Sequence, residues 1–489
     1  LISFIIALLL LITGYFVWGR VTEKTFHPDE RVTPALAVND GVDYLPMPTW
    51  KVFLIELLNI AGTGPIFGAL SGAVFGPVVY IWIIFGCIFI GAVHDYTCGM
   101  LSMRHNGAAV SELTGLYLGK SMKQVMRVFS VILLIMCGVV FTTGPAGLLT
   151  ELTKGTVSTT VFFVIITVYY FIATFVPIDK VIGRLYPLFG ICLIAMAVGV
   201  AGSLLFSGRF EMPELWTNLT NQHPGGKALF PFVFITVACG AVSGFHATQA
   251  PMMARCCKSE KVGRKVFYGA MISEGIIALV WAAAGVSCYD STQALLAAGA
   301  GCSAVVYAVC QTTMGKIGSI IAIIGVVVCP ISSGDTAYRS ARLTLADWFK
   351  YDQSKLKNRI MLTIPLLAAG TVISRLDYSV VWRYFSWSNQ TLATIALWTV
   401  SVYLLTRKET TNRSIALMTA IPAAFMTAVV TTYFIVSTEC LGYFFEKFGV
   451  PYHTYFWIGL CGGLAGALAA LSAFLIFAHR HQTHHDVIG

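Results

Sequence analysis

The chain has 489 residues, of which 57% are hydrophobic and 11% charged, and its mean hydropathy is +0.77. Soluble domains carry about 25% charged residues, so this composition excludes an ordinary water-soluble multidomain protein. The formal charge of +9 does not point to nucleic acid, because the basic residues sit in short loops between apolar runs and form no stripe or patch.

Runs of apolar residues long enough to cross a bilayer recur along the whole chain. They predict thirteen helices: Leu1–Trp18, Trp50–Gly76, Val78–Met103, Met126–Leu149, Val157–Phe175, Leu185–Phe206, Leu229–Ala254, Val266–Cys288, Ile317–Leu345, Ile360–Val372, Ser388–Leu405, Ser414–Ser437 and Tyr455–Ala478. The first has no basic residues ahead of it and no small-x-small cleavage site behind it, so it reads as a retained helix, not a signal peptide. Counted with the adjacent helix ends, loops after odd-numbered helices hold 25 of the 32 Lys and Arg residues, and those after even-numbered helices hold 7. By the positive-inside rule the N-terminus is outside and the C-terminus inside.

Two of these helices are interrupted near their middle. Helix 2 reads Lys51-Val-Phe-Leu-Ile-Glu-Leu-Leu-Asn-Ile, then Ala61-Gly-Thr-Gly-Pro65. Pro65 has no backbone N–H to donate, and Gly62 and Gly64 tolerate non-helical angles. Helix 7 is broken in the same way by Gly240-Ala-Val-Ser-Gly-Phe-His246, 178 residues after the first break (240 against 62). Each break opens a set of five helices, and an odd number inverts the second set relative to the first. That is the pattern of a five-plus-five inverted repeat, with its binding site where the two breaks meet. Short amphipathic connectors, Ser111–Leu118 and Ser303–Thr312, fall at matching places in the halves. The expected organisation is one all-α polytopic membrane domain. It comprises an N-terminal helix and inner loop (1–49), a first repeat (50–206), an inverted second repeat (229–406), two additional helices (414–478) and a His-rich tail (479–489).

Unwound backbone at membrane depth is tolerated where it lines a cavity. The half-helix after Gly64 offers free N–H groups and a positive dipole end that suit a carboxylate. Thr63, Gly64, Pro65, Gly240, Ser243 and Gly244 are therefore candidate substrate contacts. Ionisable residues inside apolar spans are costly and are functional candidates by default. His246 follows the second break and is expected to contact a substrate carboxylate or carry a coupling proton. Asp95, Glu274 and Asp335 are candidate proton carriers, with Arg339 or Arg342 the expected partner of Asp335. His94 is expected to face away from Asp95. Ser332, Ser333 and Thr336, with carbonyls near Ala61 and Gly64, form the alternative, an oxygen-lined Na⁺ site. Structural readings stand beside these: paired charges that brace helices, and hydroxyls that bond the carbonyl one turn back. Glu56 reads as a helix-interface carboxylate.

The thirteen cysteines are scattered, with no C-x-x-C pair or Cys/His spacing for zinc, so no metal site is expected. Cys288 and Cys302 flank one loop and are a candidate disulfide pair. The tail from His479 to His485 reads as a solvated segment, not a metal site.

Several segments together resemble the carbon starvation protein A family: Thr33-Pro-Ala with Asn39-Asp-Gly-Val-Asp-Tyr, Ile60-Ala-Gly-Thr-Gly-Pro, Ala92-Val-His-Asp, Arg104-His-Asn-Gly-Ala, Cys239-Gly-Ala-Val-Ser-Gly-Phe-His, Gly269-Ala-Met-Ile-Ser-Glu-Gly, Asp335-Thr-Ala-Tyr-Arg-Ser-Ala-Arg and Ser388-Asn-Gln-Thr-Leu-Ala. They run in order from residue 33 to about residue 393, and the last adds Asn389 to the candidate substrate contacts. The resemblance implies import of peptides and, in some members, pyruvate, on a core similar to that of the amino acid–polyamine–cation superfamily (a leucine-transporter-like fold). The expected function is a secondary active importer of a small carboxylate in the bacterial inner membrane. Pyruvate is favoured and short peptides are the alternative. H⁺ or Na⁺ drives the symporter by alternating access, and no cofactor is expected. A nutrient sensor that binds without transporting is the reading from another class. No P-loop suggests ATP coupling, and no nucleophile–base pair suggests an enzyme.

Overall fold

The computed structural model describes residues 1–40, 44–173, 178–353, 355–407 and 413–486, without the side chains of 178–187, 317, 318, 321, 322, 413 and 480–486. Within these residues every regular element is a helix. Among the described residues, eight helices are long and apolar enough to cross a membrane, and nine if the bent pair Thr49–Ile60 and Gly64–Ala73 is one span. The sequence reading has thirteen helices. The second broken helix consists of pieces of eight and eleven residues, each too short to cross alone. Thr159–Ala173 ends where the described residues end. Ser303–Phe349 includes side chains outside the described residues, and Tyr378–Thr406 carries much of the polar interior described below.

The first broken helix runs over Thr49–Ile60, leaves the α-helical path at Ala61–Thr63, and resumes as a π-helical turn, Gly64–Gly68, and a short helix, Ala69–Ala73. The two parts are bent by 54°. The second runs over Leu229–Thr236, opens at Val237 and at Gly240 (φ +92°), and restarts as Gly244–Ala254 after an extended Ser243. The two breaks touch. A Cβ on Gly64 would lie 2.1 Å from the Cβ of Cys239, and one on Gly240 would lie 3.9 Å from the Cα of Pro65. The third segment, Val79–Phe85 through Ala92–Arg104, closes against the second break, because a Cβ on Gly91 would meet the Ala241 carbonyl oxygen at 2.1 Å.

The connectors have matching forms. Val110–Leu118 is separated from the long helix Lys120–Leu152 by Gly119 (φ +90°). Residues 303–314 are set off from the rest of Ser303–Phe349 by Gly315 (φ +66°). Only glycine adopts such backbone angles without strain.

Loops that the sequence assigns to one side of the membrane assemble at one end. The Thr292 hydroxyl donates to the Gln222 carbonyl (2.8 Å), the Gln222 N–H to the Phe75 carbonyl (3.1 Å), and the Tyr384 hydroxyl to the Glu439 carbonyl (2.5 Å). Loops assigned to the other side meet at the opposite end. There the Arg104 guanidinium grips Glu260 through two bonds (2.9 and 3.0 Å) and donates to the His27 carbonyl (2.8 Å), while Arg407 donates to the Phe26 carbonyl (2.9 Å). Cys288 and Cys302 are both free thiols, so the candidate disulfide is not formed. The side chains of the His-rich tail beyond His479 lie outside the described residues.

Candidate functional site

Each break frees backbone groups that a continuous helix would pair, and side chains from neighbouring helices take up several of them. The Ser333 hydroxyl donates to the Leu58 carbonyl on the first broken helix (2.9 Å). The Trp82 indole N–H donates to the Val237 carbonyl (2.9 Å), and the Gln390 amide to the Phe234 carbonyl (2.9 Å). On the donor side, Asn389 Oδ1 accepts from the Phe245 N–H (2.7 Å) and from the Ser243 hydroxyl (3.1 Å). Asn389 thus caps the half-helix that starts at Gly244.

Beside this cap lies a chain of four ionisable side chains with no solvent exposure. His94 Nδ1 is 2.8 Å from Asp95 Oδ1, Asp95 Oδ2 is 2.8 Å from His246 Nδ1, and His246 Nε2 is 3.3 Å from Glu274 Oε2. Three of these residues, Asp95, His246 and Glu274, are sequence candidates; Asp95 bonds both imidazoles, while Glu274 lies beside His246 Nε2 without a hydrogen bond among the described residues. The expectation that His94 faces away from Asp95 is incorrect. Neighbouring Cβ atoms diverge on a helix, but the imidazole curls back onto the adjacent carboxylate. Glu56, read from the sequence as an interface residue, is fully buried and within electrostatic reach of Asp95 and Glu274. Neither of its oxygens has a hydrogen-bond partner among the described residues. Its intramembrane position was the signal available in the sequence.

The other candidates divide. Ala61, Thr63, Gly64, Pro65, Gly240, Ser243, Gly244 and Asn389 are all buried at the meeting of the breaks. Ser332 and Thr336 donate to carbonyls of their own helix, at Cys329 (2.6 Å) and Ser333 (3.0 Å). Ser333 bonds the Cys329 carbonyl (3.1 Å) in addition to reaching the first broken helix. Asp335 lies 4.0 Å from Arg339, one helical turn on, which in turn donates to the Ala173 carbonyl (3.0 Å).

A model of the carbon starvation protein CstA family matches residues 1–166, 150–291 and 282–433. The chain belongs to the carbon starvation protein CstA family. It is 44% identical over 354 residues to an uncharacterized membrane protein of Haemophilus influenzae, covering 61% of this chain and 95% of that protein. It is 27% identical over 312 residues to the pyruvate/proton symporter BtsT of Escherichia coli, covering 51% of this chain and 43% of BtsT. It is 26% identical over 317 residues to the peptide transporter CstA of Escherichia coli, covering 51% of this chain and 44% of that protein. The chain thus spans less than half the length of these two transporters. A manganese transporter of Eremococcus coleocola shares the fold with a TM-score of 0.57 at 10% identity, over 91% of this chain and 99% of that one. These findings, with the apolar helices, make the chain a multi-pass membrane protein and not an enzyme.

In this CstA-family chain, Cys239, His246 and Glu274 each offer a ligand atom, and the three atoms lie within 4.8 Å of one another. Cys239 lies in the second break, His246 on the half-helix that restarts after it and Glu274 on Gly269–Ser287, so no sequence spacing reveals the full set. The Asp95 carboxylate on His246 Nδ1 is also the partner that orients an imidazole ligand in metal sites. The same contact orients a proton carrier.

Replacing Asn389 with Ala strands the Phe245 N–H and removes the partner of Ser243. The expected cost is about 1–3 kcal/mol, the usual cost of an unpaired buried polar group. It is read as a lower melting temperature of the purified protein in detergent. Thr391→Ala is the control, since that hydroxyl bonds only the carbonyl one turn back (2.9 Å). Equal melting of the two variants contradicts the capping role.

Proposed function

We propose that this chain is a proton-coupled secondary importer of a small carboxylate, pyruvate first and short peptides second. The observation that carries the reading is the buried His94–Asp95–His246–Glu274 chain beside two touching helix breaks. The named relatives, a pyruvate/proton symporter and peptide transporters, support it.

Charge balance supplies the coupling. In a medium of low dielectric constant an uncompensated charge is strongly unfavourable. Two carboxylates and two imidazoles are neutral together when they hold two added protons, on the rings, on the carboxyl groups or one on each, and the nearby buried Glu56 adds a further negative charge unless it is protonated. A carboxylate arriving at the Gly244 half-helix adds a negative charge within a few residues of His246. A proton entering with it restores neutrality, so the site favours taking up the two together. Asn389 Oδ1 holds the Phe245 N–H until that carboxylate replaces it. The touching breaks and the paired Gly119 and Gly315 connectors support alternating access by two inverted halves.

Sodium coupling is the alternative, since the Ser332, Ser333 and Thr336 hydroxyls donate their hydrogens to backbone carbonyls and keep their lone pairs for a cation; the buried imidazole–carboxylate chain is what favours protons. The uneven distribution of basic residues supports a bacterial inner-membrane protein with its N-terminus outside and Lys258 inside. Reaction of a cysteine at position 258 with an impermeant reagent on intact cells contradicts that orientation.

The test is uptake of labelled pyruvate and of a labelled dipeptide into proteoliposomes. A pH gradient without Na⁺ is compared with a Na⁺ gradient at equal pH. The pH gradient is expected to drive pyruvate accumulation, and His246→Gln to slow it at least about tenfold, as for loss of a proton-transfer group. Uptake that needs Na⁺ and is lost in Ser333→Ala, yet survives in Asp95→Asn and Glu274→Gln, overturns proton coupling. Accumulation of the dipeptide alone moves the substrate to peptides.

A further inference from the structure

A cavity of about 350 Å³ opens at the end of the molecule where the loop 207–228 meets the segment 289–302. Ser71 of the first broken helix, Phe75 just beyond its end, and Phe232 and Thr236 of the second broken helix form its walls, so it adjoins the half-helices that lead to the two breaks. Its rim carries His223, Lys227 and Arg383. Arg383 is paired with Glu439. Lys227 lies with its ammonium 5.7 Å from the Phe232 ring, and no carboxylate among the described residues is within ion-pair distance of it.

One wall is the start of the helix Tyr378–Thr406, whose first turn is capped by the Asp377 carboxylate accepting from the Ser379 N–H (2.8 Å). Tyr378, Trp382 and Ser386 line the cavity from this helix. They are spaced four residues apart and so share a face. Their hydroxyl, indole N–H and hydroxyl groups are buried, and none has a hydrogen-bond partner among the described residues. Three residues further along the same helix is Asn389, the cap of the second break. From Tyr378 to Asn389 the rise is about 16 Å at 1.5 Å per residue. The descent is closed by aromatic rings. Trp382 stands 6.4 Å from Phe67 and 5.5 Å from Phe385 between ring centres, and Phe385 stands 6.3 Å from Phe141, which packs on Gly62.

We propose that this cavity is a waiting site for carboxylate anions, in which Lys227 holds the carboxylate and the Tyr378–Trp382–Ser386 donors lead it toward Asn389. The unpaired cation supplies the attraction, and the unsatisfied donors supply places for an oxygen-rich ligand. Arg383, neutralised by Glu439, shapes the rim without competing for the anion. Trp382 belongs both to the donor row and to the aromatic layer, so its movement couples occupancy of the cavity to opening of the path. This proposal deepens the import reading and rests on it for the direction of travel.

The test is binding of pyruvate, with neutral pyruvamide as the comparison, to the full chain in lipid nanodiscs, read by intrinsic tryptophan fluorescence. Pyruvate is expected to change the emission, and Trp382→Phe to abolish most of that change. Lys227→Gln is expected to weaken the apparent affinity at least about fivefold, and added salt to weaken wild-type binding more than that of the variant. Unchanged affinity in Lys227→Gln, or equal binding of pyruvamide and pyruvate, overturns the waiting site. Uptake measured in parallel separates the two readings. Lys227-dependent binding without any uptake rejects the import reading and keeps the waiting site. Normal uptake with binding indifferent to Lys227 rejects the waiting site and keeps import.

Discussion

Inside a membrane, a backbone that leaves the helix must find new partners for the N–H and C=O groups it frees. This chain leaves the helix twice, at 61–63 and 237–243, and brings both departures together. The partners are supplied by Ser333, Trp82, Gln390 and Asn389, which lie on three other helical segments. Each such bond crosses from one helix to another. Any relative movement of those helices must exchange these bonds for others, and a ligand carboxylate or water is the natural replacement. On the proposed reading the breaks serve as both the binding site and the joint.

The same junction collects the buried ionisable groups. Asp95 comes from the segment that packs against the second break, His246 from the restart of that broken helix, and Glu274 from Gly269–Ser287. Their distances bind the three segments through one imidazole, so a change of protonation at His246 alters contacts on all of them at once. A charge change in a low-dielectric interior is energetically large compared with a neutral hydrogen bond. On the proposed reading, that asymmetry gives proton movement the leverage to favour one arrangement of the helices over another.

Much of this was legible in the sequence, and the reasons for the remainder are physical. Ala61-Gly-Thr-Gly-Pro65 and Gly240 to Gly244 announce themselves as breaks, because glycine and proline disrupt helices wherever they occur. Asp95, Glu274 and His246 stand out one at a time as charges in apolar runs. Their meeting does not, since 151 residues separate Asp95 from His246, and pairing across such distances is fixed by tertiary packing. The His94–Asp95 contact is not legible from helix geometry, because side-chain reach overrides the divergence of neighbouring Cβ atoms. One sequence does not distinguish a carboxylate such as Glu56 facing a helix interface from one facing the polar centre. Only the family resemblance points to Asn389. The Tyr378–Trp382–Ser386 face lies outside the apolar run, which begins at Ser388, whereas the helix begins at Tyr378; its four-residue spacing behind an Asp cap is the readable signal.

The central claim is that protonation of the buried chain drives the transport cycle, and Asp95→Asn tests it most directly. Proteoliposomes containing wild-type or variant protein are loaded with unlabelled pyruvate and assayed for exchange with external labelled pyruvate. The same preparations are assayed for net accumulation under a pH gradient. The account predicts that Asp95→Asn retains exchange, which needs no net proton release, and loses accumulation. Accumulation by Asp95→Asn equal to that of the wild type contradicts it.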